Sequence, residues 1–190
     1  MLQAPSLILG ILASLWLFNS VIAANKPPAK GGTLPPIRIP LPKDFHERDY
    51  LGISGQGYFR IPQIKTTIVI IEIFSLYCPQ CQASAPEVNA FYQMVDQIPD
   101  LKKKIKMIGI GAGNTVLEVN TFKEKYKVSF PLFPDEHFNI HKELGEVRTP
   151  YFIVVKIKKD RSLEVIYSEE GAFGEAEAFL QRILKLSGIK

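Results

Sequence analysis

From Ile68 to Phe74 the chain reads Ile-Val-Ile-Ile-Glu-Ile-Phe, seven positions with one polar residue. A run this short, rich in β-branched side chains and apolar at both parities, predicts a strand buried on both faces. Beyond Pro79 the period changes. Val88, Phe91, Val95 and Ile98 recur at helical spacing, which predicts that the strand feeds directly into an amphipathic helix, interrupted and kinked at Pro86. A second strand is predicted at 106–110. Asn114 is read as the cap of a following helix whose apolar stripe is Val116, Val119, Phe122 and Tyr126. A short helix falls within 135–144. Tyr151–Ile157 and 163–167, joined by the turn Lys159-Asp160-Arg161, predict a β-hairpin. Gly171 and Gly174 lead into a last helix with Glu175 and Glu177 in its first turn, Phe179, Leu180, Ile183 and Leu184 buried, and Lys185 near its end. This order describes an α/β fold, a central mixed β-sheet flanked by helices on both faces.

The pattern differs at the N-terminus. Residues 7–18 are nearly all apolar, and Ala23 and Ala24 follow a polar break at Asn19 and Ser20. This is the pattern of a signal segment over 1–24, with Val21 and Ala23 as the small side chains before the cut. Its charge comes from the amino group, because no Lys or Arg precedes the apolar run. Residues 7–24 also reach the lower limit for a membrane span, so an uncleaved anchor is the alternative, and only in that case is a membrane contact expected. Either reading places the rest of the chain outside the cytoplasm. Residues 25–50 hold Pro27, Pro28, Pro35, Pro36, Pro40 and Pro42 with Gly31 and Gly32. Such a run predicts a Pro-rich extended spacer without helix, a tether or arm ahead of a folded domain at 51–190.

The totals fit one domain with an extension: 190 residues, 46% hydrophobic and 22% charged. A net charge of +4 without a basic, aromatic-studded stripe argues against nucleic acid as a partner. Lys102, Lys103, Lys104 and Lys106 read as a solvated edge before a strand. The glycines of Gly109-Ile110-Gly111-Ala112-Gly113 do not form a dinucleotide site, since Asn114 stands where the third glycine belongs. His137 and His141, four apart beside Asp135 and Glu136, lack a fixed third ligand and read as surface residues, so no metal is expected. His46 falls in the spacer.

The chemistry lies in Cys78-Pro79-Gln80-Cys81, which contains both cysteines. At the start of a helix they sit one turn apart, close enough for a reversible disulfide. A permanent staple is the weaker reading, because so short a loop removes little chain entropy. Glu72 is the one carboxylate in an otherwise apolar strand, where desolvation costs several kcal/mol, so it is either a proton-transfer group or reaches water at the rim. Cys78 would attack a partner disulfide, and Cys81, with Glu72 accepting its proton, would displace the reduced partner.

Over residues 60 to 190 these features resemble the thioredoxin superfamily, in particular its exported TlpA-like and ResA-like thiol-disulfide oxidoreductases. The resemblance rests on Phe74-Ser75-Leu76-Tyr77-Cys78-Pro79-Gln80-Cys81 as the strand-to-helix active site, on Pro86, on Thr149-Pro150 as a cis-proline loop facing the cysteines, and on Gly171-Ala172-Phe173 before the last helix. It implies a thioredoxin-like fold, a redox disulfide of Cys78 and Cys81, and contacts to a bound polypeptide from Tyr77, Pro79, Gln80, Thr149, Pro150 and Gly171. It implies no cofactor, a periplasmic location and reductase as the expected direction. Partners would be protein thiols or disulfides, among them a membrane electron donor and apocytochromes. Two alternatives stay open: a peroxiredoxin-like peroxidase, suggested by Phe130-Pro131-Leu132-Phe133-Pro134-Asp135 though without the Pro and Thr before the cysteine, and a copper-binding metallochaperone.

Overall fold

The structure, a computed structural model, describes residues 26–189; the predicted export segment at 1–24 lies outside them. The described chain begins with β1 (Ile39–Pro40), helix α1 (Phe45–Leu51) and β2 (Tyr58–Phe59), the two strands pairing as an antiparallel ribbon. Then follow β3 (Ile68–Phe74), α2 (Pro79–Gln97), α3 (Pro99–Lys104), β4 (Ile105–Ala112), α4 (Val116–Lys125), β5 (Leu132–Asp135), α5 (Asn139–Glu143), β6 (Tyr151–Ile157), β7 (Leu163–Glu170) and α6 (Ala176–Ser187). The main sheet has the order β5-β4-β3-β6-β7, parallel from β5 to β3 and antiparallel from β3 to β7. This is the thioredoxin-like α/β fold, with the mixed sheet that the strand pattern predicted.

β3 is central and buried at all seven positions, and its alternation divides the core in two. Ile68, Ile70 and Phe74 face α2, α4 and α6 in a cluster that also holds Phe91, Phe122, Phe152 and Phe179. Val69, Ile71 and Ile73 face the opposite side, against Ile108, Ile110, Ile153 and Val155. The crossovers β3 to β4 and β4 to β5 step in the same direction, which places α2 and α4 on one face of the sheet.

The other face is covered by the segment expected to be a tether. Leu34, Ile37 and Ile39 are buried in its core, and α1 begins inside the stretch that was expected to hold no helix. The prolines stop at Pro42, which frees Asp44 to cap the helix by accepting from the His46 N–H at 2.7 Å. Gly31 donates to the Val165 carbonyl at 2.8 Å and Val165 donates to Gly32 at 2.9 Å, so the arm pairs with β7. The part of the stretch before α1 holds no helix, but it packs onto the domain instead of standing off it.

Other local expectations also shift. α2 runs on through Pro86 as one helix, and Ile98, placed on its apolar stripe, lies past its end and is exposed. Lys102, Lys103 and Lys104 belong to α3, where Lys102 pairs with Asp96 at 2.8 Å. Lys106 leaves that solvated group altogether: it is buried, with its Nζ 4.3 Å from the Tyr50 ring centre. Thr115, not Asn114, caps α4, through a capping box with Glu118, and Val116 is exposed.

Candidate active site

Where β3 ends, Ser75-Leu76-Tyr77 carries the chain to Cys78, the N-cap of α2, with extended φ −89° and ψ 109°. Pro79 follows at the first helical position, where its missing N–H leaves no partner wanting. The Cys78 Sγ accepts the Cys81 N–H at 3.1 Å, which uses one of the free donors at the helix start. Cys78 and Cys81 form a disulfide with Cα atoms 5.2 Å apart. The two sulfurs differ in access: Cys78 is partly exposed, whereas Cys81 is fully buried in the aromatic cluster.

The loop before Cys78 is held at both backbone groups of Leu76. Its N–H donates to Asn114 Oδ1 at 2.8 Å and its carbonyl accepts Gln82 Nε2 at 2.7 Å. Asn114 is fully buried and also donates to Ser75 Oγ at 3.3 Å. These two positioning residues escaped the sequence reading. The Thr115-x-x-Glu118 box was the available signal: once Thr115 is the cap, Asn114 is released for another role.

The Thr149–Pro150 peptide is cis, and the Thr149 carbonyl oxygen lies 3.3 Å from Cys78 Sγ. The Pro150 carbonyl accepts the Gly171 N–H at 2.8 Å, which links the cis-proline loop to the turn before α6. Tyr77, Cys78, Pro79 and Thr149, together with Phe138 and Arg148, line an open groove of about 570 Å³. Gln80 lies on the far side of Pro79, in a second groove of about 380 Å³ with Glu87, Phe173 and Glu175. Of the residues expected to contact a polypeptide, Tyr77, Pro79 and Thr149 line the Cys78 groove and Gln80 the second one, while Pro150 and Gly171 are tied to each other next to Thr149. The Tyr77 hydroxyl donates to Glu118, whose other oxygen accepts the Thr115 N–H at 2.7 Å. That bond is the main cause that raises the Tyr77 pKa and lowers that of Glu118.

Glu72 does not reach the rim. It is buried on the side of β3 that faces α2, at the parity of Ile70 and Phe74, and its Cα partners are Gly109 and Phe152. Among the described residues its carboxyl has no hydrogen-bond or ion-pair partner. Burial alone pushes its pKa up to about 8, so the carboxyl is largely protonated at neutral pH.

His137 is exposed, while His141 places Nε2 2.8 Å from the Val147 carbonyl oxygen. Among the described residues no group of three metal-ligating side chains comes together. The glycine run at 109–113 serves packing: a Cβ on Gly111 would meet Val119 at 2.8 Å, and one on Gly113, at φ +66°, would meet the Phe138 ring at 2.2 Å. No helix among the described residues is long and apolar enough to cross a membrane.

A family model described as AhpC/TSA family matches residues 44–167, well over half of the chain. The thioredoxin domain of a thiol-disulfide oxidoreductase from Bacteroides vulgatus is similar in fold, with TM-score 0.59, 13% identity, and coverage of 80% of this chain and 96% of that one. StoA from Bacillus subtilis is similar with TM-score 0.52 and 19% identity over 67% and 89% of the two chains. A secreted Mycobacterium tuberculosis disulfide oxidoreductase homologous to E. coli DsbE is similar with TM-score 0.51 and 16% identity over 72% and 98%. No curated protein matches the chain at a significant level.

Proposed function

The chain belongs to the AhpC/TSA family, and from that premise we propose that it is an extracytoplasmic thiol-disulfide oxidoreductase acting on protein partners through Cys78 and Cys81. One observation carries this reading: a reachable sulfur joined to a buried one at a helix N-terminus, with the Thr149 carbonyl of a cis-proline loop 3.3 Å away. The fold neighbours named as thiol-disulfide or disulfide oxidoreductases support it.

In the reducing direction, the Cys78 thiolate attacks one sulfur of a partner disulfide. A mixed disulfide forms and the partner's other sulfur leaves as a thiolate. Helix-terminal N–H groups, including that of Cys81, stabilise the Cys78 thiolate. Cys81 then gives up its proton and attacks Cys78 Sγ, the partner's second sulfur departs, and the Cys78–Cys81 disulfide remains. Two electrons pass to the partner. Glu72, on the α2 side of β3, accepts the Cys81 proton when it is ionised, so the resolving step quickens as pH rises toward about 8. Thr149, Pro150, Tyr77, Pro79, Gln80 and Gly171 hold the partner segment. A membrane electron donor would restore the dithiol, and apocytochromes are candidate substrates in a periplasmic setting.

Cys81→Ala tests the order of events. A disulfide-bearing polypeptide mixed with the reduced variant is expected to accumulate as an adduct through Cys78, visible by mass. If no such adduct accumulates, the assigned order is wrong. The family match also keeps a peroxidase reading in view; consumption of micromolar peroxide by the dithiol protein would favour it instead.

A further inference from the structure

Pro79 lines one groove and its neighbour Gln80 lines another, and the formal charges of the two linings are opposite in sign. On the Cys78 side the groove is mostly apolar and its lining carries one formal charge, the exposed Arg148, which has no carboxylate partner among the described residues. Two aromatic rings stand exposed there and are held in place: Tyr77, 69% exposed, is fixed by Glu118, and Phe138, 43% exposed, rests on Gly113. Exposed, immobilised aromatic surface beside a reactive sulfur is what a partner covers. Glu118, which accepts from Tyr77 and Thr115, lies outside the groove lining. On the Gln80 side the base is Val88 and Phe173, and the charges are Glu87 and Glu175. Glu87 accepts the Ala176 N–H at 3.0 Å, which fixes the start of α6 against α2.

We propose that this cleft is charge-polarised and selects polypeptide segments in which the reacting cysteine has an acidic residue on its Arg148 side and a basic residue on its Glu87–Glu175 side. The proposal rests on the oxidoreductase reading and names the substrate class of that site. In a mixed disulfide the partner Cα lies about 5.5 Å from the Cys78 Cα. An extended segment advances about 3.3 Å per residue, so side chains two or three positions from its cysteine overhang the two grooves. Charge complementarity there orients the segment, while the sulfur chemistry is the same for any sequence.

The test uses the reduced full-length protein and peptides whose single cysteine is capped as a 2-mercaptoethanol disulfide. One peptide carries Asp three residues before and Lys three residues after the cysteine, a second carries the reverse order, and a third is neutral. Each exposed charge pair supplies up to about fivefold, so one order should exceed the other by about fivefold in the second-order rate constant of this single reduction at low salt. The ratio should fall toward one at about 1 M salt, where the Debye length is about 3 Å. In the double variant Arg148→Glu with Glu175→Lys the favoured order should reverse, each rate taken relative to the same variant's neutral-peptide rate. Equal rates for the two orders, or a preference that persists unchanged in the swapped variant or at high salt, would overturn the charge-polarised cleft. Failure of the wild-type protein to exchange with the neutral peptide would instead overturn the oxidoreductase reading itself.

Discussion

The two faces of β3 are built from neighbouring residues of one strand, yet they differ in kind. The face toward the arm lines up Val69, Ile71 and Ile73 beside Ile108, Ile110, Ile153 and Val155 of the neighbouring strands, in a mainly aliphatic cluster that Leu34, Ile37 and Ile39 of the arm complete. The face toward α2 presents Ile68, Ile70, Glu72 and Phe74 to a cluster of aromatic rings and to Cys81. Phe173 stacks on Phe179 with centroids 4.1 Å apart, and Phe152 meets both edge-on. One face is a seal. The other excludes water around a sulfur and a carboxyl, so its packing sets the chemistry as well as the stability.

The contrast is broken most sharply by one deletion on each side. Cys78→Ser should reduce exchange beyond about 1,000-fold, as loss of the nucleophile does, and should leave the aromatic packing in place. Ile71→Ala, on the sealing face, should cost about 2–5 kcal/mol of stability through the cavity it leaves, while exchange per folded molecule stays within about twofold. Denaturant titration and exchange assays on the same samples read both. A large catalytic loss in folded Ile71→Ala would show that the two faces are not separable.

Glu72→Gln should show the next largest effect, and its sign depends on pH. The folded protein holds the Glu72 proton up to about 8, whereas the ordinary value is 4.5. Between those values the folded state binds more protons than the unfolded state, so stability falls as pH rises across that window. Below about 4.5 its ionisation costs nothing; above about 8 the full cost of ionisation is present. The variant should match the wild type near pH 4 and exceed it by about 3 kcal/mol at pH 7 and about 4 kcal/mol at pH 8, with thermal melts across pH as the readout. Its resolving step should slow by at least about tenfold. A variant no more stable at pH 8 would mean that burial is not what holds the proton on Glu72.

Glu72 also marks how far the sequence could be read. Its isolation in an apolar strand and the period change after Pro79 made the sheet, the redox helix and the disulfide legible, because periodicity and residue chemistry are local signals. Asn114 was misread because its bonds run to Ser75 and Leu76, far away in sequence, and a cap looks the same in a string of letters. The arm was misread for a related reason. Proline fixes φ and removes a donor, which predicts an extended chain, but whether that chain floats or packs depends on a surface built elsewhere. Leu34, Ile37 and Ile39, spaced to bury against β3 and its neighbours, were the overlooked signal. Arg148 and Phe138 gave none, since their meaning comes from the groove they share with Cys78.

The smallest effect concerns how firmly the arm closes the sealing face. Gly145, at φ +91°, lies under the chain's entry into the fold: a Cβ there would meet the Pro27 nitrogen at 2.4 Å and the Lys26 carbonyl carbon at 2.6 Å. Gly145→Ala forces either the α5 turn or the arm to move. The left-handed conformation alone costs about 1–2 kcal/mol for a residue with a Cβ, and lifting the arm relieves the clash but exposes its apolar contacts. Stability should fall by about 1–2 kcal/mol. The Val165 amide, which donates to Gly32, should lose hydrogen-exchange protection while the β3 amides keep theirs. Exchange activity should stay within about twofold, because the Pro150 carbonyl is held by Gly171 and the Val147 carbonyl by His141, both independent of the arm. If Val165 stays protected and activity drops, the arm props the cis-proline loop rather than sealing the sheet.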